Sequence, residues 1–458
     1  MELRDKPPNL LSSIHTARNF YLKHKAMPQY EHCMGVLKKA EKHKIVEGKF
    51  IKRYTKDPNR ALVNSILAET ILYHIIDHKK IDGCKYILPA AVNDPAVKKE
   101  IVLFGKLTEL DRKGAALSEY IPLLNNGEAP LAILAKLADY AVTHNGENHL
   151  ENFISEEGHP IFRTYSSMAE AYESLRMDAN AGERIYAPIA ELFGHPELAG
   201  SILKHAFDVN HHDIYNFVME KIKDAELQER LSCTRILVKE LAKRIRKTLI
   251  GAGFDVVVIP RLMKHEGKIM RKVHRKIAKR YNESEESKSM PFEDYLSTNI
   301  ESFDITSLND LVALRVIINK LGKREIDSME EGKKRIVMNN AMALIKTNIE
   351  MLESISGSKY GYLIEDWNKE SGYRAIHFDC YPIKTNMLRF EIQLKTFKEH
   401  WIAEEGGAAH WIYIGGDSEL GRVLKEIYLS IIHRFNGKNE IKEKEGQLEL
   451  PIPTLSKD

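Results

Sequence analysis

The feature that most constrains this chain is a change in the spacing of its apolar residues near residue 250. Upstream, apolar residues recur three and four apart, as in Ile133, Leu134, Leu137, Ala138 and Ala141. That is the period of helices with one face in a core. Breakers at Pro58, Asp82-Gly83, Asn125-Asn126-Gly127, Asn145-Gly146 and Gly158-His159-Pro160 divide the stretch, with no fixed repeat. Downstream, GAGFDVVVIP (251–260), LVALRVII (311–318), GYRAIHFDCYPI (372–383) and LRFEIQLKT (388–396) are short runs rich in β-branched and aromatic residues. Such runs predict strands. The chain therefore reads as an all-α N-terminal half followed by an α+β half.

A length of 458 residues implies two to three domains. The boundaries read as a helical extension over 1–50, a helical domain over 51–235, a mixed domain over 236–436 and a charged, flexible tail over 437–458. Net charge is only +3, so any basic surface is local and a DNA-coating role is excluded. Cys33, Cys84, Cys233 and Cys380 are far apart, which argues against disulfide frameworks and thiolate zinc sites. No signal-peptide core and no charge-free run of membrane-spanning length is present, so a cytoplasmic protein without membrane contact is expected.

Two local patterns carry chemistry. On a helix from Lys264 to Arg280, Lys264, Lys268, Arg271, Lys272, Arg275 and Lys279 share one face, and Ile269, Met270, Val273 and Ile277 the other. A self-repelling row of cations favours a polyanion, a nucleoside triphosphate or RNA, although an average basic helix is simply a solvated face. In the strand 388–395, Arg389, Glu391, Gln393 and Lys395 alternate with Leu388, Phe390, Ile392 and Leu394. Alone, this is a half-buried strand with its polar side in water. Tyr373, Ala375 and His377 share one face of the preceding run. Arg315 interrupts an apolar strand and needs a partner or a ligand, and Asp310 stands at that strand's mouth. Two carboxylates, Asp310 and Glu391, are what Mg²⁺ takes from protein when phosphates supply its other ligands. These parts suggest phosphoryl-type transfer.

The ordered motifs KHEGKIMRK (264–272), NDLVALRV (309–316), SGYRAIH (371–377), EIQLKT (391–396) and AEEGGAAHWIY (403–413) resemble the synthetase domain of RelA/SpoT homologues, the (p)ppGpp synthetases. The resemblance implies a nucleotidyltransferase-like mixed sheet flanked by helices. It implies Mg²⁺ on Asp310 and Glu391, with Glu391 also helping to deprotonate the attacking hydroxyl. Lys264, Lys268 and Lys272, with Arg261 beside them, would grip ATP phosphates, and Arg315 would stack on adenine. Tyr373 would stack on the guanine of GDP or GTP, with His377, Gln393 and Lys395 lining the acceptor pocket. The acceptor 3′-oxygen would attack the β-phosphorus of ATP, with AMP leaving.

This chain departs from the family pattern at Leu262, where the family's arginine stands, and at Lys268, Ala375 and Lys395. The stretch IEDWNKESGY before the Gly-Tyr motif also differs. Two alternatives stay open: the same chemistry on adenine nucleotides or tRNA 3′ ends, and a non-catalytic nucleotide-binding regulator.

Residues 184–215 resemble the end of the same family's HD-type hydrolase domain. The metal-binding aspartate then falls at Asp139. The His-Asp pair that binds Mn²⁺ falls at Pro89-Ala90, the following acid at Asn93, the upstream histidine at Asn64 and a later asparagine at Thr143. A degenerate HD domain without hydrolase activity is expected. His212-Asp213 reads as a solvated loop, and His74 and His78 as surface histidines. The chain ends soon after HWIY (410–413), which implies that the family's ribosome-sensing modules are absent. A homo-oligomer is left open.

Overall fold

In a computed structural model of the chain, the described residues are 8–42, 66–75, 94–125, 130–140, 165–192, 195–284, 289–368, 374–404, 442–444 and 447–449. They fall into two units, one within 8–211 and one within 212–404 together with 442–449. The first is helical and the second is built on a mixed sheet, in the order the apolar spacing predicts. The boundary lies upstream of the one drawn at 235/236. The 27-residue helix Ala225–Gly251 buries Leu227, Leu231, Leu237, Val238, Leu241, Ile245 and Leu249 and packs on the first strand, so it belongs to the sheet's core.

In the helical unit, α1 (Pro8–Lys23) and α2 (Met27–Lys42) precede a helical segment at 66–73, then α3 (Pro95–Arg112) and α4 (Pro130–Tyr140). Asp94 caps α3 by accepting from the Ala96 N–H at 2.8 Å. Every residue of α4 from Leu131 to Ala138 is buried, including Lys136. The Lys136 ammonium meets Asp111 at 2.8 Å and lies 4.9 Å from the ring centres of both Phe104 and Tyr140. Asp111 also accepts from the hydroxyls of Tyr120 (2.8 Å), Tyr140 (2.9 Å) and Tyr186 (3.2 Å). Beside this network, burial pushes the Asp178 carboxyl up to about 7, Lys136 opposes the shift and Asp111 adds to it. Asp178 Oδ1 is buried without a hydrogen-bond partner among the described residues.

In the second unit, helix α5 (Ala225–Gly251) runs into β1 (Phe254–Arg261) through Gly253, whose φ of +87° is the left-handed region that glycine occupies without penalty. Helix α6 (Glu266–Glu283) follows, then β2 (Ala313–Leu321), the short β3 (Arg324–Glu325), β4 (Lys359–Asn368), β5 (Arg374–Lys384) and β6 (Phe390–Thr396). The sheet order is β1-β2-β6-β5-β4, with β3 on β2. Only the β2–β6 pairing among these strands is parallel. Val316, Ile318, Phe378, Cys380, Phe390, Ile392 and Leu394 form a buried apolar face. Within the segment read as a flexible tail, Lys442–Lys444 and Gln447–Glu449 pair as a two-stranded ladder.

Candidate active site

Cross-strand neighbours point to the same side of a sheet, so the register assembles the second face directly. Arg261 lies opposite Ala313, Ala313 opposite Glu391, and Glu391 opposite Asp379. One step along, Ile259, Arg315, Gln393 and His377 stand in a row. Lys395 continues the face beside Ile317. The polar side of β6 is not in water, as the alternation alone suggests: Glu391 is 7% and Lys395 2% exposed.

Asp310 precedes β2 and is the centre of the cations. Its carboxylate accepts from Lys264 at 2.6 Å and Lys272 at 2.5 Å, with Arg261 at 3.7 Å, and Arg261 also donates to its backbone carbonyl at 2.8 Å. The Lys264 N–H donates to the Leu311 carbonyl at 2.9 Å, which ties the β1–α6 connection to the mouth of β2. Burial raises the Asp310 carboxyl pKa, but Lys264, Lys272 and Arg261 together hold it well below the usual carboxylate range. Burial drives Lys264 down to about 8, against the opposing pull of Asp310 and with help from Lys272 and Arg261.

Glu391 has both oxygens engaged. His377 Nδ1–H donates at 2.5 Å and the Gln393 amide at 2.7 Å. Burial raises its carboxyl, but these donors outweigh it and the group is held below its ordinary value. The Asp310 charge acts on Glu391 in the opposite sense, so the two acids sit within each other's field. Both are ionised oxygen donors, the donor type that Mg²⁺ takes.

Not every expected cation joins this cluster. Arg271 is 5% exposed and so breaks the surface row, and Arg275 and Lys279 are exposed, with Lys279 paired to Glu283 at 3.7 Å. Lys268 is half-buried on the first turn of α6. Tyr373 lies outside the described residues. Two residues of the site's surroundings were not singled out from the sequence, Lys276 and Asp379, and Arg389 was read on the polar strand face without a role. Parity could have found Asp379, two residues beyond His377 on β5.

The helical unit holds a second cluster. His32 on α2, His74 and Asp139 on α4 offer ligand atoms that all lie within 4.8 Å of one another. His32 Nε2 lies 3.1 Å from both His74 Nε2 and Asp139 Oδ1. His74 Nδ1–H donates to the Ile71 carbonyl at 2.6 Å, which leaves its Nε2 lone pair directed at the cluster. This corrects the reading of His74 as a surface histidine, since it is 2% exposed. Asn64, Pro89, Ala90, Asn93, Thr143 and His78 lie outside the described residues. His212-Asp213 opens a helix, His212–Lys223, rather than a loop, and both residues are exposed.

Comparison with known proteins gives one family match. Residues 261–418 match the model described as the region found in RelA / SpoT proteins. No curated protein matches the chain. Among solved structures, the chain is similar to small alarmone synthetase 1 from Bacillus subtilis bound to its product pppGpp, at 20% identity and a TM-score of 0.26, over 45% of this chain and 91% of that one. A second structure of that synthetase aligns at 17% identity and a TM-score of 0.24, over 45% and 92%. No helix among the described residues is long and apolar enough to cross a membrane. The matched span 261–418 holds Arg261, Arg315, His377, Asp379, Glu391, Gln393 and Lys395 of the polar sheet face.

Proposed function

We propose that the second unit transfers the pyrophosphoryl group of ATP to the 3′-hydroxyl of GDP or GTP, forming (p)ppGpp. The observation that carries this reading is that Asp310, ringed by Lys264, Lys272 and Arg261, and Glu391, held ionised by His377 and Gln393, lie within each other's field. Phosphoryl-type transfer is mainly positioning and charge neutralisation, and these residues supply both. The new bond joins the acceptor 3′-oxygen to the β-phosphorus. The bond from that phosphorus to the oxygen bridging the α-phosphate breaks, and AMP leaves with the bridging oxygen. The hydroxyl proton passes to the Glu391 carboxylate, which His377 and Gln393 aim. Arg315, beside Ile259 in the register, takes the adenine. Lys264, Lys268 and Lys272 take the phosphates. Asp310 and Glu391 would hold Mg²⁺, which when bound neutralises charge on the transferred phosphates.

The helical unit, in this reading, is a degenerate HD domain. Its three ligands could hold a divalent ion, but Ile75 stands where the His-Asp pair needs its acid. An ion with one protein ligand fewer is a poor hydrolytic centre.

The test is a chromatographic assay of the full chain with Mg²⁺ and ATP labelled at the γ-phosphate, with GDP, GTP, AMP, ADP and bulk tRNA in separate tubes. Label in GDP or GTP is expected. Label only in an adenine nucleotide or in tRNA would move the acceptor, and label in none would leave a nucleotide-binding regulator. Pyrophosphate released from (p)ppGpp with Mn²⁺ would contradict the loss of hydrolysis.

A further inference from the structure

Beyond the Asp310 cluster, the positive wall continues in a direction the proposed roles do not use. Lys276 is one helical turn after Lys272 on α6 and is half-buried. Burial lowers its amine, and the positive fields of Lys272, Arg280 and Arg389 lower it further, with only Asp310 opposing. Arg389 stands two residues before Glu391, just ahead of β6. Its guanidinium meets Asp379, the residue directly opposite Glu391, through one nitrogen at 2.8 Å. That contact is not the two-pronged arginine–carboxylate pair. Arg389 Nε and Asp379 Oδ1 are each buried with no hydrogen-bond partner among the described residues. Lys264, Lys272 and Arg261 share Asp310, and Lys276 makes no ion pair among the described residues. Cations thus outnumber acids along this edge of the face, and a half-buried excess of positive charge is stable only with an anion beside it.

We infer that Arg389 and Lys276 form a subsite for the terminal phosphate of the donor nucleotide triphosphate, with Asp379 as the counter-ion that holds Arg389 when no nucleotide is bound. The inference rests on the proposed placement of the donor, with adenine at Arg315 and phosphates at Lys264 and Lys272. A polyphosphate running from Arg315 along those lysines meets Lys276 and Arg389 next. The pair then grips the outer phosphate of the group that is transferred. Asp379 competes with that phosphate for Arg389, which keeps the arginine in place without trapping the product.

The experiment is equilibrium binding of ATP, ADP and AMP, without acceptor, to the full chain and to Arg389→Gln, Arg389→Lys, Lys276→Gln and Asp379→Asn. ATP is expected to bind the unaltered protein more tightly than ADP. Arg389→Gln and Lys276→Gln should each weaken ATP by roughly tenfold or more, the range of one charge-assisted contact, and leave ADP unchanged. Unchanged ADP binding also shows that the variants are folded. Arg389→Lys should restore part of the loss, and Asp379→Asn should tighten ATP severalfold. Equal weakening of ATP and ADP, no weakening of either, or weakening of GDP and GTP alone would overturn the subsite. Discrimination of ATP from ADP in a chain that moves no label would overturn the proposed transfer and not the subsite. Transfer without such discrimination would do the reverse.

Discussion

The two units treat buried charge in opposite ways. In the helical unit, Asp111 is closed off: one ammonium and three tyrosine hydroxyls satisfy it, and aromatic rings cover Lys136. Nothing remains for a ligand to do, and such a network fixes the packing of its helices. In the second unit, Asp310 is surrounded by more positive charge than it can neutralise, and Glu391 is oriented rather than neutralised. A closed network serves stability. An over-charged one on a sheet face serves binding, because its electrostatics are complete only with an anion present.

That contrast can be broken by substitution. The largest effect should come from Asp310→Asn. Removing the acid that meets the metal and its lysines should cost roughly 10²–10⁴-fold in kcat. ATP affinity should not fall, since three cations are released; a loss confined to ATP binding would make Asp310 a structural counter-ion only. Asp111→Ala should act on stability instead. It leaves the Lys136 ammonium alone in a core, which costs about 3–5 kcal/mol. A thermal melt of the helical unit unchanged by this substitution would mean that the network is not closed.

The third effect is on pH. Lys264, lowered to about 8, is charged below that pH and neutral above it. ATP affinity should be flat up to pH 8 and then fall, by at most about tenfold per pH unit. Lys264→Arg, which stays charged, should remove the fall; a fall that persists belongs to another group.

The smallest effect concerns Asp178. Its carboxyl is raised to about 7 in the folded state, against about 3.9 in an unfolded chain. Below pH 4 both states carry the proton and there is no penalty. Between the two values folding takes up a proton, so stability falls as pH rises, and above 7 the penalty is complete. Asp178→Asn should therefore stabilise by roughly 1–2 kcal/mol at pH 8 and not at pH 4. Equal gains at both values would assign the effect to packing.

Much of the sheet was legible because its central strands carry apolar alternation. LVALRVII and EIQLK become the parallel pair β2–β6, and the same parity collects Glu391, Gln393 and Lys395 with His377. β4 was missed because it is an edge strand with Leu363, Glu365 and Asp366 exposed, so little of it had to be apolar. The α6 row was only half right: helical spacing finds the cationic side but not which turn faces Asp310, and it left Lys276 out. His32, His74 and Asp139 were out of reach for a different reason. Tertiary packing brings them together across more than a hundred residues, and local spacing carries no trace of that.

The central claim is that Glu391 and its neighbours move a pyrophosphoryl group. It is tested most directly by incubating unaltered protein and Glu391→Gln in parallel with Mg²⁺, γ-labelled ATP and GDP. The account predicts label in the guanine nucleotide with the unaltered protein and none with the variant. Label transferred equally by both would contradict it.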